Sequence, residues 1–235
     1  MARPTTHEGH DCKYLKAVYV FEAPVRLWHW LHTFSFLTLA LTGYFIANPL
    51  PTLSGEASAH FLMGNIRLTH FIAAWVFTIG FLIRIYWAIV GNCFARQLFI
   101  LPIWDRKWWR ELWYEIRFYE FLTREQHKTL GHNPLAQSAM FLFNTLGTIF
   151  MIGTGFALYS QGLGDGSWAD RLFGWVIPLM GGGEAVHNWH NLGMWLMLVF
   201  VIIHVYMAVR ADIISRESSV STIIGGWRMF KDDCP

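Results

Sequence analysis

Four long apolar runs, separated by polar stretches, dominate the chain. A membrane-spanning helix needs about 20 mostly apolar residues. Residues 27–48, 68–90, 135–160 and 187–209 meet that requirement. Pro24, Pro49 and Pro134 fall at their ends, where proline ends or opens helices. A fifth apolar piece, 172–180, is short and contains Pro178, so it reads as an interfacial or re-entrant segment. The pattern predicts an all-α membrane protein, a four-transmembrane-helix bundle forming one domain over residues 1–235. The polar opening MARPTTHEGHDCKYLK is longer than a signal sequence allows, and no small-residue cleavage site follows the first run, which is expected to stay as an anchor. Between runs two and three, residues 108–122 (WWRELWYEIRFYEFL) mix aromatics with charges. Trp109, Leu112, Trp113, Ile116 and Tyr119 share a helical face, which predicts an amphipathic helix in the headgroup plane, most simply a brace.

Charge placement adds an orientation. Residues 1–26 hold four Lys and Arg, 91–134 hold seven, and the tail from Arg210 holds four, fifteen of the eighteen in all. Positive residues concentrate on the cytoplasmic side, so both termini are expected there. The 49–66 and 161–186 loops then face outward, into the periplasm of a bacterium. Composition excludes other classes. Hydrophobic residues make up 54% and charged residues 14%, with a net charge of +2; disorder and a nucleic-acid partner are both disfavoured. Cys12, Cys93 and Cys234 all map to the cytoplasmic side, where free thiols are expected. No internal repeat or low-complexity tract is apparent.

Eleven histidines stand in this apolar background. Imidazole inside a bilayer is costly, usually functional, and faces the bundle interior. His29, His32, His70, His190 and His204 lie within or at the edge of runs. His190 and His204 are 14 residues apart. At about 100° per residue both point to one face, and at roughly 1.5 Å per residue they stand about 21 Å apart along the helix. One imidazole therefore sits near each membrane surface. His187 lies about 100° off that face and reads as a helix-start or loop residue. His70 matches His190 at the outer depth, and either His29 or His32 matches His204 at the inner one. Two imidazole pairs at two depths are the arrangement for two haems, each with both axial positions filled and suited to moving single electrons. Zinc takes three or four ligands and fits less well. A lone membrane histidine, by contrast, is ordinarily a helix-to-helix hydrogen-bonding group worth about 0.6 kcal/mol. Carboxylates are nearly absent from the runs, against a relay of paired acids.

Small residues could admit a porphyrin plane: Thr42-Gly43, Gly147, Gly153, Gly155 and Gly193. Ordinary close helix packing explains them equally well. Arg26, Arg67 and Arg84 could pair with haem propionates, with Arg26 open to the alternative of a topology charge.

The motifs FEAPVRLWHW (21–30), LTGYFI (41–46), FLMGNIRLTHF (61–71), RIYWAIVGN (84–92), GHNPLAQSAMF (131–141), FMIGTGFALY (150–159), HNWHNLGMW (187–195) and IIHVYMAVRADI (203–214) cover nearly the whole chain from residue 19 to about 230. With them the chain resembles the b-type cytochrome membrane subunit of the uptake nickel-iron hydrogenases. More distantly it looks like the membrane subunits of formate dehydrogenase and thiosulfate reductase. The first 18 residues carry no family pattern. The resemblance implies two b haems, with His29 and His204 as ligands on the cytoplasmic side and His70 and His190 on the periplasmic side, and so prefers His29 over His32. It implies a periplasmic hydrogenase of large and small subunits as partner, the small one carrying iron–sulfur clusters and a C-terminal membrane helix. It further implies electron delivery to quinone at the inner membrane, with no hydrogen chemistry in this subunit. His132 and Asn133, in the Gly131–Pro134 turn, are candidates for hydrogen-bonding a quinone carbonyl, with His132 able to relay a proton; the same turn also reads as a plain helix start. Arg26, Arg67 and Gly43 are the candidate haem surroundings. A cytochrome b serving another periplasmic dehydrogenase, and a haem-free anchor, are the rival readings.

Overall fold

The computed structural model describes residues 17–51, 54–56, 60–123, 129, 131–215 and 218–229. Cys12 and Cys234, His7, His10 and His127, and the basic residues Arg3, Lys13, Lys16, Arg124, Lys128, Arg216 and Lys231 lie outside the described residues. Cys93 is an exposed free thiol.

The four apolar runs form helices long enough to cross a membrane. They are α1 (Ala23–Ala47), α2 (Leu62–Val90), a third span over Pro134–Leu163, and α9 (Gly183–Ser215). Each extends past the apolar run that predicts it, because the end chemistry lies outside the run. Pro24 sits in the first turn of α1, where its missing N–H costs nothing. Asn133 caps the third span by accepting the Ala136 N–H (2.7 Å), and Pro134 opens it. The third span is not uniform: α5 (Pro134–Ala139) passes through a π-helical turn (Met140–Leu146) into α6 (Gly147–Leu163). Thr145 in that turn donates to the Leu98 carbonyl (2.9 Å).

α1 packs along α2, α6 packs along α9, and α1 also meets α9. Phe36, Phe77 and Met197 form the buried centre, with Met151 and Ile152 against them. Met197 lies midway between His190 and His204, so this apolar plug separates the two imidazole depths. The outward faces stay apolar; Leu27, Leu82, Ile89 and Ile202 are more than half exposed, as lipid-facing residues are. The 172–180 segment becomes two short helices, α7 (Trp168–Phe173) and α8 (Val176–Leu179). They fold back on α6 and α9 around Ala157, Val176 and Val186.

Strand β1 (Val18–Tyr19) pairs antiparallel with β2 (Trp227–Arg228), after α10 (Ser219–Gly225). Both ends of the described chain therefore meet on one side of the bundle. On that side lie α3 (Cys93–Arg96) and the amphipathic α4 (Arg106–Tyr119). Its opposite face is the one buried against the protein: Trp108, Glu115 and Phe118 are buried, whereas Trp109 and Trp113 of the aromatic face are exposed. Protein contacts decide this: Trp108 donates to Gln137 (3.1 Å), and Glu115 accepts from Asn133 (3.3 Å). The aromatic stripe is left for the surroundings.

Candidate functional site

The outer pair is His70 on α2 and His190 on α9, close enough to interact electrostatically. Each ring is fixed the same way. His70 Nδ1 lies 2.8 Å from the Thr42 hydroxyl, and His190 Nδ1 lies 2.8 Å from the Thr154 hydroxyl. Each hydroxyl gives its single proton to the carbonyl four residues back, Thr38 (2.6 Å) or Phe150 (2.8 Å). In the tautomer with Nδ1 protonated, the hydroxyl oxygen accepts from the ring and the Nε2 lone pair is left free. Glycine follows each threonine. A Cβ on Gly43 would stand 3.4 Å from His70 Cε1, and one on Gly155 would stand 3.2 Å from His190 Cε1.

Both rings border a cavity of about 600 Å³, together with Gly43, Gly155, Arg67 and His187. His187 thus takes the helix-start alternative, near the beginning of α9 and one turn before His190, and also lines the cavity. Of the other glycines, Gly193 is held by close packing, since a Cβ there would press on Met151 Sδ at 2.7 Å. Gly147 leaves ordinary contact with Met197, and Gly153 faces open space.

The inner pair is built differently. His29 on α1 and His204 on α9 interact electrostatically. His29 Nδ1 is buried without a hydrogen-bond partner among the described residues. His204 stacks on Phe200, ring centroids 6.0 Å apart. His32, one turn along α1, is sandwiched between Phe77 (4.1 Å) and Trp28 (4.7 Å), with Asn144 of the π turn as a polar neighbour. Arg84 is buried at 3% exposure. It donates Nη2 to the Ala95 carbonyl (2.6 Å) and lies over Trp28 and Phe99, 5.3 Å from each ring centre. Its Nε and Nη1 are buried without partners among the described residues.

His132 sits beside this pair. Gln97 accepts its backbone N–H (3.0 Å) and faces its Nδ1 (3.4 Å), and Phe21 lies 5.7 Å from its ring. Burial, then the nearby His204, Arg228, Arg84 and His29, push its pKa down to about 4. The ring is neutral near pH 7 and serves better as a hydrogen-bond donor or acceptor than as a proton store. Asn133 is committed to its cap and to Glu115. Arg26 donates Nη1 to the Ile224 carbonyl (2.5 Å), joining α1 to α10, and its Nε is buried without a partner among the described residues.

Thr154 and Asn144 escaped the sequence reading, and Thr42 was noted only for its size. A signal was present: Thr-Gly-aromatic recurs at Thr42-Gly43-Tyr44 and Thr154-Gly155-Phe156. It marks a local repetition between the first and third spans.

A four-span helical bundle with two inward imidazole pairs defines a membrane electron-carrier of the cytochrome b class. The chain belongs to the prokaryotic cytochrome b561 family, whose profile matches residues 20–226. It is 61% identical over 219 residues to an Azotobacter chroococcum mcd 1 protein named "Probable Ni/Fe-hydrogenase B-type cytochrome subunit", covering 93% of this chain and 91% of the relative. A protein of the same name from Cupriavidus necator is 54% identical over 220 residues, 94% of this chain and 90% of the relative. The Escherichia coli K12 "Probable Ni/Fe-hydrogenase 1 B-type cytochrome subunit" is 51% identical over 217 residues, 91% of each.

Membership of this family implies haem b, and the outer residues fit it. The cavity volume lies in the range of cofactor sites. Two imidazoles with Nδ1 tied down and Nε2 free line it, and glycine stands where a side chain would crowd each ring.

Proposed function

We propose that the chain is the haem-b electron-transfer subunit of a hydrogen:quinone oxidoreductase, and that it anchors a periplasmic nickel-iron hydrogenase to the inner membrane. The observation that carries this reading is the pair of imidazole sets at two depths. His70 and His190 would hold an outer haem, and His29 and His204 an inner one. Bound haem would supply one-electron chemistry at each depth. Phe36, Phe77, Met151 and Met197 exclude water between the two sites. Arg67 lines the outer cavity and Arg84 brings unpartnered N–H groups to the inner end, so these two would bind the carboxylates of the bound haems.

Electrons would enter on the outer side from the hydrogenase small subunit and leave on the inner side. Two electrons and two protons from the cytoplasmic side convert a quinone to a quinol. His132, neutral and held by Gln97, donates to a quinone carbonyl there, with Asn133 shaping the turn. Both termini are cytoplasmic, in keeping with the Lys and Arg distribution and the pairing of β1 with β2. The 60%-class relatives carry hydrogenase in their printed names, which favours this partner over a formate or thiosulfate enzyme.

The test uses membranes holding the whole complex. With hydrogen as donor, they should reduce both b-haem and a quinone analogue. With His190→Ala they should reduce an artificial dye but no quinone. Quinone reduction at the normal rate in that variant contradicts the reading.

A further inference from the structure

We propose that Thr42 and Thr154 are positioning residues that set the reduction potential of the outer site below that of the inner one, and so give electron flow its inward direction. The proposal rests on the ligand assignment above.

An imidazole that gives its Nδ1 proton to an acceptor becomes a more basic ligand through Nε2. A more basic axial ligand favours ferric over ferrous iron and lowers the potential. At the outer site both rings have such an acceptor, at 2.8 Å each. With Nε2 on iron the ring's only proton is on Nδ1, so each hydroxyl accepts it and keeps its own proton for a helix carbonyl. At the inner site His29 Nδ1 has no acceptor among the described residues, and His204 stacks on Phe200. Each site has one arginine, Arg67 on the outer cavity and Arg84 at the inner end, so the difference between the sites lies in the acceptors of the ring protons. One electron leaves the outer site as the inner site gains it, and no proton leaves either Nδ1.

In the repeated Thr-Gly pair, threonine supplies the acceptor. At Gly155 the missing side chain also gives clearance, since a Cβ would stand 3.2 Å from the His190 ring; at Gly43 it would stand 3.4 Å from the His70 ring, an ordinary contact. A threonine that only bonded its own helix would leave the potential untouched.

The test is an equilibrium redox titration of the purified full-length protein with both haems, read by absorbance. Thr154→Val removes the acceptor at nearly constant volume and should raise the lower midpoint while the upper one stays put. Thr42→Val should raise it less, because the Leu39 carbonyl lies beside His70 and can take over. The double variant should narrow the gap furthest, and Thr154→Ser should titrate like wild type. Unchanged midpoints in the valine variants overturn the proposal, as does a shift in Thr154→Ser equal to that in Thr154→Val. If Thr154→Val fails to load its outer haem, Thr42→Val must load with a raised lower midpoint and Thr154→Ser with a normal one; any other result overturns the proposal. The ligand assignment is checked apart from this. Two haem signals surviving in His190→Ala removes that assignment, whereas loss of one signal with unmoved valine midpoints removes only the role of the threonines.

Discussion

The outer and inner imidazole pairs share α9 and differ in almost everything around them. At the outer pair, polar contacts are complete: each ring has its hydroxyl, each hydroxyl its carbonyl, and glycine gives clearance. At the inner pair they are incomplete, with His29 Nδ1 and two Arg84 nitrogens buried and unpartnered among the described residues. Buried polar atoms without partners are expensive, on the order of 1–3 kcal/mol each. A finished outer site and an unfinished inner one fit different tasks. Under the proposed function, the first would tune a ligand and the second would keep donors available for an anionic group of the cofactor.

The largest expected effect separates the two pairs outright. His190→Ala and His204→Ala should each remove about half the bound haem, with different midpoints surviving. Equal loss of both haems from either variant, in a protein that still folds, would break the comparison. Next comes clearance at the two glycines. Gly155→Ala forces the His190 ring to yield by a few tenths of an ångström, whereas Gly43→Ala meets only ordinary contact. Overpacking costs about 1–3 kcal/mol. Haem retention under washing should therefore fall roughly fivefold or more in Gly155→Ala and little in Gly43→Ala; the reverse order would contradict this geometry.

A smaller effect probes the inner cation. Arg84→Met should lower the upper midpoint by on the order of tens of millivolts, where about 59 mV is a tenfold change for one electron, and leave the lower one unmoved. A shift of the lower midpoint alone would place Arg84 at the wrong site. The smallest effect concerns His32. Its ring is stacked on Phe77 and Trp28, so His32→Phe keeps the packing and should retain both haem signals, at a cost within about 1.5 kcal/mol. Loss of the inner haem in that variant would give His32 the ligand role instead of His29.

The four spans are legible in the sequence because lipid imposes length and apolarity on any spanning helix. The depths of His190 and His204 are legible because a 14-residue spacing is nearly a whole number of turns. His29 and His32 are not separable that way; they share a helix and a depth, and only their neighbours differ. Phe77, from another helix, occupies the face of His32, while His29 lies nearer His204. The role of Thr154 is hidden because threonine bonding its own helix is common in apolar runs. The π turn at Met140–Leu146 has no apparent local signal in the sequence. Arg26 illustrates the remaining limit: its carbonyl partner, Ile224, lies 198 residues away. For α4, periodicity shows an amphipathic helix, but Gln137 and Asn133 decide which side is buried.

The proposed function requires two differently tuned haems at two depths along α9. A redox titration of the wild-type protein beside His190→Ala tests it most directly. The account predicts two midpoints in the wild type and only the upper one in the variant. Two midpoints persisting in His190→Ala, or the upper one disappearing instead, would contradict it.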